Sequence, residues 1–329
     1  SQALCQKNFP FLETFYKRSL RGNKIMPITW KQLKKTRAYE REDSYKEIIG
    51  DLQQIVAIDQ WLEQTYKKFQ KWLIISIIID FIAFLATFAM PGVGFPVLFL
   101  SIIFTIIFSF LYLGKNGRLH LSKRRYEFTQ KLLELINRDS QEDSQLQIHL
   151  SFQPVVRKYN QTQVNPHPQK PGWKLKSYEF QWLQLSGKFS DKTHFSLAIK
   201  DLFRQASGVK RSRSGKRKFK SKVKCKATEV FLHLKFSRKR YGAIQVLQSD
   251  VQNAIKLPEN TTCKKLQVKD NSIKMRVKIH PIQPTGQSNE RQLTGNAIVQ
   301  LEEIYGTVVA MLLSSYQILN LARELSKKG

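Results

Sequence analysis

The sequence predicts an α+β membrane protein. It combines a transmembrane helical hairpin, extended by an antiparallel coiled-coil stem, with a cytoplasmic antiparallel β domain of sandwich or barrel-like form and a C-terminal helix. Three observations predict this. Two apolar runs, residues 72–90 and 97–113, are separated only by Pro91, Gly92, Val93, Gly94, Phe95 and Pro96. The segments flanking them carry apolar residues in steps of three and four. Beyond residue 146 the apolar period changes to two and the charge turns strongly positive.

Residues 1–43 read as an irregular segment, broken by Pro10 and Pro27. The chain begins at Ser1 rather than Met, so further N-terminal residues are expected. Residues 44–138 read as a helical stem carrying the hairpin. Tyr45, Ile48, Leu52, Ile55, Asp59, Leu62, Tyr66 and Phe69 form a heptad seam that runs without a stop signal into the first apolar run. A spanning helix needs roughly 20 mostly apolar residues to cross about 30 Å of hydrocarbon, and each run meets that length or nearly so. The first run lies too far into the chain to be a cleaved secretory signal.

Lys67, Lys68 and Lys71 precede the first run, and Lys115, Arg118, Lys123, Arg124 and Arg125 follow the second, whereas the turn carries no cation. The positive-inside rule therefore puts both termini and the bulk of the chain on the cytoplasmic side or its topological equivalent. After the second run, Leu121, Phe128, Leu132 and Leu135 mark a returning helix at 118–138. That register permits an Asp59–Arg125 pair.

One ionisable residue lies inside the apolar runs. Asp80 falls opposite Ile107 in an antiparallel hairpin, with Thr105 and Ser109 flanking that depth as hydrogen-bond partners. An intramembrane carboxylate is costly and points to an ion or proton path, or to a polar clasp between helices or subunits. The clasp is favoured because no second acid, base or histidine lies within the runs.

Residues 146–283 read as the basic β domain, with strands at 147–152, 178–186, 194–202, 228–236 and 272–281. In the last, Ile273, Met275, Val277 and Ile279 alternate with Lys274, Arg276, Lys278 and His280, one face for a core and one wet and cationic. Residues 160–172 read as a Pro-rich loop and 284–296 as a polar linker. A helix follows at 297–326, amphipathic enough to pack on the stem or on a partner subunit rather than to span.

The chain holds 55 Lys and Arg against 25 Asp and Glu, a net charge of +30. Most of the excess lies between residues 146 and 292. It peaks at Lys210, Arg211, Arg213, Lys216, Arg217, Lys218, Lys220, Lys222, Lys224 and Lys226, a run with no acid in it. Such a run is expected to stay unfolded as a loop through self-repulsion, and to meet an anion. Three partners compete: anionic lipid or an acidic protein, nucleic acid, or water alone. Tethering to a membrane favours the first, and the near absence of aromatics in the run counts against a base-stacking platform.

Cys5, Cys225 and Cys263 are too few and too widely spaced for a disulfide framework or a metal site. No P-loop, HExxH, GxSxG or CxxC stands in the sequence. The expectation is thus a membrane-anchored, non-enzymatic scaffold with no cofactor, metal or small-molecule substrate. The Lys210–Lys226 run, with Lys274, Arg276 and Lys278, would form its anion-binding surface. The alternatives are a subunit of an oligomeric channel or transport complex using Asp80, and a membrane-tethered nucleic-acid binder. Self-association through the hairpin is compatible with all of them.

Overall fold

Alternating apolar residues build a single antiparallel sheet. The computed structural model describes residues 33, 36–89, 91–114, 123–141, 144–242, 244–247, 255–281 and 299–328. Its strands are β1 (Ala38–Ser44), β2 (Gln145–Ser151), β3 (Gln161–Pro166), β4 (Lys174–Lys188), β5 (His194–Arg211), β6 (Arg217–Lys235), β7 (Thr261–Lys269) and β8 (Ser272–Ile279). They run in the order β1-β2-β4-β5-β6-β8-β7, with β3 added alongside β4. Tyr39, Leu150, Leu183, Ile199, Val230 and Val277 lie side by side across this sheet, and each is fully buried.

The expected sandwich or barrel is thus one sheet. Helices rather than a second sheet cover its apolar face. The helices are α1 (Tyr45–Ala89), α2 (Pro91–Gly114), α3 (Lys123–Arg138), the short α4 (Arg238–Tyr241) and α5 (Leu301–Lys328); the start of α1, α3 and α5 pack on the sheet, while α2 pairs with the far half of α1. Ser44 caps α1, its hydroxyl accepting from the Glu47 N–H at 3.4 Å, the first half of a Ser-x-x-Glu capping box. Tyr45, Ile48, Leu52 and Ile55 are buried at the start of α1, and Phe128, Leu132, Leu133 and Ile136 on α3. Phe128 meets Trp182 of β4 edge to face at 5.5 Å. This part of the expected stem is therefore domain core rather than a free coiled coil.

α5 buries Ile304, Val308, Met311, Ile318 and Leu319. Among the described residues it is the one helix, over Leu301–Ser326, that is long and apolar enough to cross a membrane, although nearly half of that window is buried. In α2 the described apolar stretch is the shorter Leu98–Ile107. Length and composition of the described residues do not by themselves make α1 and α2 two spans.

Four local expectations change. The segment before residue 44 is not irregular throughout, because Ala38–Ser44 is an edge strand. Tyr39 is buried and donates to Asp51 Oδ2 at 2.9 Å, and Arg41 pairs with Asp43 and Asp51. The polar loop at 160–172 contains strand β3, whose partner is β4. The turn residues Pro91 and Pro96 belong to α2, where a proline at the first position leaves no donor wasted. Arg125 does not pair with Asp59: the Asp59 carboxylate takes the Tyr126 hydroxyl, and Arg125 donates to the Ser151 and Gln153 carbonyls. Leu121, the linker 284–296 and residues 1–32 lie outside the described residues.

Candidate functional site

The basic run is ordered as a β-hairpin arm, not a loop. β5 and β6 stay paired far beyond the core sheet, out to Lys210 opposite Lys218 and Arg211 opposite Arg217. A five-residue turn closes them, with Ser212 N–H donating to Lys216 O at 2.9 Å and Gly215 at φ 75°. Only a glycine takes that left-handed position without strain.

Directly opposed residues share a face of an antiparallel pair. Arg204 opposite Lys224, Lys210 opposite Lys218, Lys220 and Lys222 make one cationic face. Val209 opposite Phe219, Gln205 opposite Val223 and Ser207 opposite Ser221 make the other. That second face continues the side of β5 that carries Leu197 and Ile199, the side on which the helices lie. Val209 is 55% and Phe219 71% exposed. Lys226 is the extra residue at a bulge where Leu202 and Phe203 face Ala227 and Cys225. A bulge bends and re-aims a strand, here at the root of the arm. Arg213 and Lys216 sit in the closing turn. Among the described residues no carboxylate lies within ion-pair reach of the arm's cations.

Trp173 covers the arm's cationic face beside β4. A side-chain carbon at Gly208 would come within 2.4 Å of its ring, so glycine is required there. Lys170 lies over the same ring at 4.8 Å.

At the root of the arm sits a charged cluster. Asp201 accepts from Thr228 Oγ1 at 2.8 Å. Burial raises its carboxyl pKa, against Thr228, Arg125 and Arg124, which lower it. Arg125 lies 4.8 Å above the Phe180 ring. Burial pushes its guanidinium down to about 10, with Asp201 working the other way. Cys225 is buried here and its thiol is pushed up to about 11, first by burial and then by Asp201. A buried, poorly ionised thiol is not a reactive one.

Lys274, Arg276 and Lys278 lie on the uncovered face of the sheet, opposite Gln267, Lys265 and Thr262, the same face on which the arm carries its cations. Arg276 is paired with Glu229 at 3.1 Å. Lys278, opposite Glu229, which is opposite Lys200, stands one step from the root of the arm on that face. A groove of about 680 Å³ at the far end of the sheet, lined by residues including Glu42, Gln147, Lys188, His194 and His233, is remote from the arm. Among the described residues no cluster of three or more His, Cys, Asp or Glu is placed to hold a metal.

In the helical hairpin, Thr105 Oγ1 donates to Asp80 Oδ2 at 2.7 Å. Of the two partners the sequence offers, Thr105 is the one used; Ser109 is half-buried without bonding Asp80. Ser76 and Ala83 are buried on α1, while Ser101, Thr105 and Ser109 repeat every four residues on α2 and are half-buried. The large side chains point away: Phe81, Phe88, Phe99, Leu100 and Phe110 are all more than 60% exposed.

What sequence reasoning missed is the arm's order. The signal was present, because residues 218–226 alternate lysine with Phe, Ser, Val and Cys at strand period. Together these features define a helix-backed antiparallel sheet that carries an apolar helical hairpin and a cationic β arm. Compared with family models, curated proteins and solved structures, the chain matches none.

Proposed function

We propose that this chain is a membrane-anchored, non-enzymatic scaffold that presents its basic arm to an anionic partner at the membrane face. One observation carries the reading: the α1–α2 hairpin is inside out. It buries small and polar side chains along its seam and exposes its large apolar ones. Water would penalise that arrangement, since monomeric soluble proteins rarely expose apolar patches of such extent. Hydrocarbon favours it, because helices in lipid associate through small residues and interhelical hydrogen bonds.

On this reading α1 and α2 span the bilayer twice, and both flanks lie on one side by the positive-inside rule. The stretch of α1 between Asp59 and Trp72 forms the stem that lifts the sheet off the membrane. α5 stays with the sheet. The unneutralised arm then works as a recognition surface whose field weakens with salt.

The test reconstitutes the full chain into vesicles, washes them at alkaline pH and measures recruitment of a polyglutamate peptide against a neutral one. Retention through the wash and salt-sensitive capture of the acidic peptide support the reading. Loss in the wash removes the anchor, and indifference to peptide charge removes the role of the arm.

A second reading has its own observation. Asp80 Oδ1 is buried with no hydrogen-bond partner among the described residues. A neighbouring copy could supply that donor in an oligomeric channel or transport subunit. An Asp80→Asn variant with unchanged oligomeric state and ion flux would remove it.

A further inference from the structure

The arm and the helical hairpin leave the sheet at the same end. Arg125, near the start of α3, reaches the Ser151 and Gln153 carbonyls and lies over Phe180 and Trp182. That is the level of Asp201, where β5 and β6 leave the core. Asp59 on α1 is at the same level through Tyr126.

From Asp59 to Trp72 the helix rises about 20 Å before its apolar run begins. From Asp201 to Arg211 the strand advances about 33 Å. The arm is therefore long enough to bring its tip to the plane where the apolar run starts, even if it tilts away from the helix. Lys67, Lys68 and Lys71 mark that plane on α1.

The tip is built in two layers. Arg211, Arg213, Lys216 and Arg217 surround the closing turn. Val209 and Phe219, one step behind, are an exposed apolar pair among the described residues.

We infer that the arm docks end-on against the same bilayer that holds the hairpin, its tip cations on anionic lipid head groups and Phe219 with Val209 at the head-group and acyl boundary. This rests on the membrane anchoring proposed above. Lipid is chosen over a soluble acidic partner because an exposed aromatic beside a cationic tip suits an amphiphilic boundary. The common origin of arm and hairpin also keeps lipid at high effective concentration.

The experiment uses the full chain with Cys5 and Cys263 changed to Ser and an environment-sensitive fluorophore on Phe219→Cys; Cys225 is buried. The chain is reconstituted in phosphatidylcholine vesicles and in phosphatidylcholine–phosphatidylserine vesicles. A blue-shifted emission, quenched by acyl-brominated lipid, is expected only with phosphatidylserine. Adding Lys216→Gln and Arg217→Gln should weaken the docked fraction on the order of tenfold.

The same emission in both vesicles, with the chain retained through an alkaline wash, overturns the inference and leaves the anchor standing. Loss of the chain in the wash overturns both. A shift that appears only on adding oligonucleotide or polyglutamate also overturns it and assigns the tip to a soluble polyanion.

Discussion

The Thr105 hydroxyl donates to Asp80 Oδ2 at 2.7 Å across the helical hairpin, closing it at mid-length with the only ionisable side chain in its apolar part. The same register continues toward the sheet, where Asp59 of α1 meets Tyr126 of α3. The two pairs keep the same antiparallel register, one in the apolar runs and one in the domain core.

Thr105→Val removes this clasp and leaves Asp80 without its donor. Interhelical hydrogen bonds in lipid are worth about 0.6 kcal/mol on average and up to about 1.7. The variant should weaken hairpin association by roughly that range, measured by steric trapping or unfolding in micelles. Thr105→Ser keeps the donor and should fall well within it.

Arg125→Lys should destabilise the domain by about 2 kcal/mol. Both carbonyls accept from the one nitrogen Nη1; a lysine cannot stack on Phe180, its more strongly hydrated ammonium costs more to bury, and charged hydrogen bonds of this kind contribute about 1.5–3 kcal/mol. Denaturant unfolding of the full chain in micelles, followed by tryptophan fluorescence, reads it out.

Asp191 ties α5 to the sheet. It accepts from Thr193 N–H at 2.8 Å, from the Thr193 hydroxyl at 2.7 Å, from Tyr316 at 3.3 Å and from Tyr241. Burial alone would raise its carboxyl, but these donors outweigh burial and hold it below the ordinary carboxylate range. Folding therefore favours the ionised form. Its contribution is complete above the unfolded value near about 4 and is lost as pH falls through the lower folded value. Asp191→Asn should flatten acid unfolding in that window and lower stability at neutral pH by about 1 kcal/mol, the low end for a partly solvated group.

Gly215→Val forces a β-branched residue to φ 75° in the turn that closes the arm. The left-handed cost is roughly 1–2 kcal/mol for a residue with a Cβ, more for a branched one. Amide exchange should accelerate at β5 and β6 residues near the tip, from Val209 to Phe219, while Leu197, Ile199 and Val230 in the core keep their protection.

The sequence carries the helices and the central strands plainly, because both are patterned by burial. Tyr45, Ile48, Leu52 and Ile55 repeat at helical spacing, and Val230, Leu232 and Leu234 alternate. The edge strands were not legible. Ala38–Ser44 is almost all charge and polar contact, and Gln161–Pro166 has an exposed polar row. Edge strands owe their place to backbone pairing and a few tertiary contacts, such as Tyr39 with Asp51, that no local pattern encodes. The arm was misread for the opposite reason: its charge density spoke for disorder while its alternation spoke for a strand. Cross-strand pairing, with Trp173 seated on Gly208, decides in favour of the strand. The Asp80–Thr105 contact was legible because two apolar runs with a short connection leave one antiparallel register.

The central claim is that the α1–α2 hairpin lies in a bilayer with the sheet and arm on one side of it. Protease digestion of the full chain in sealed vesicles, with the surviving peptides identified by mass, tests it most directly. The account predicts one uncut membrane-retained peptide covering residues 72–113, with cleavage at the lysines and arginines on both flanks. Cleavage on one flank only, or no protected peptide at all, would contradict it.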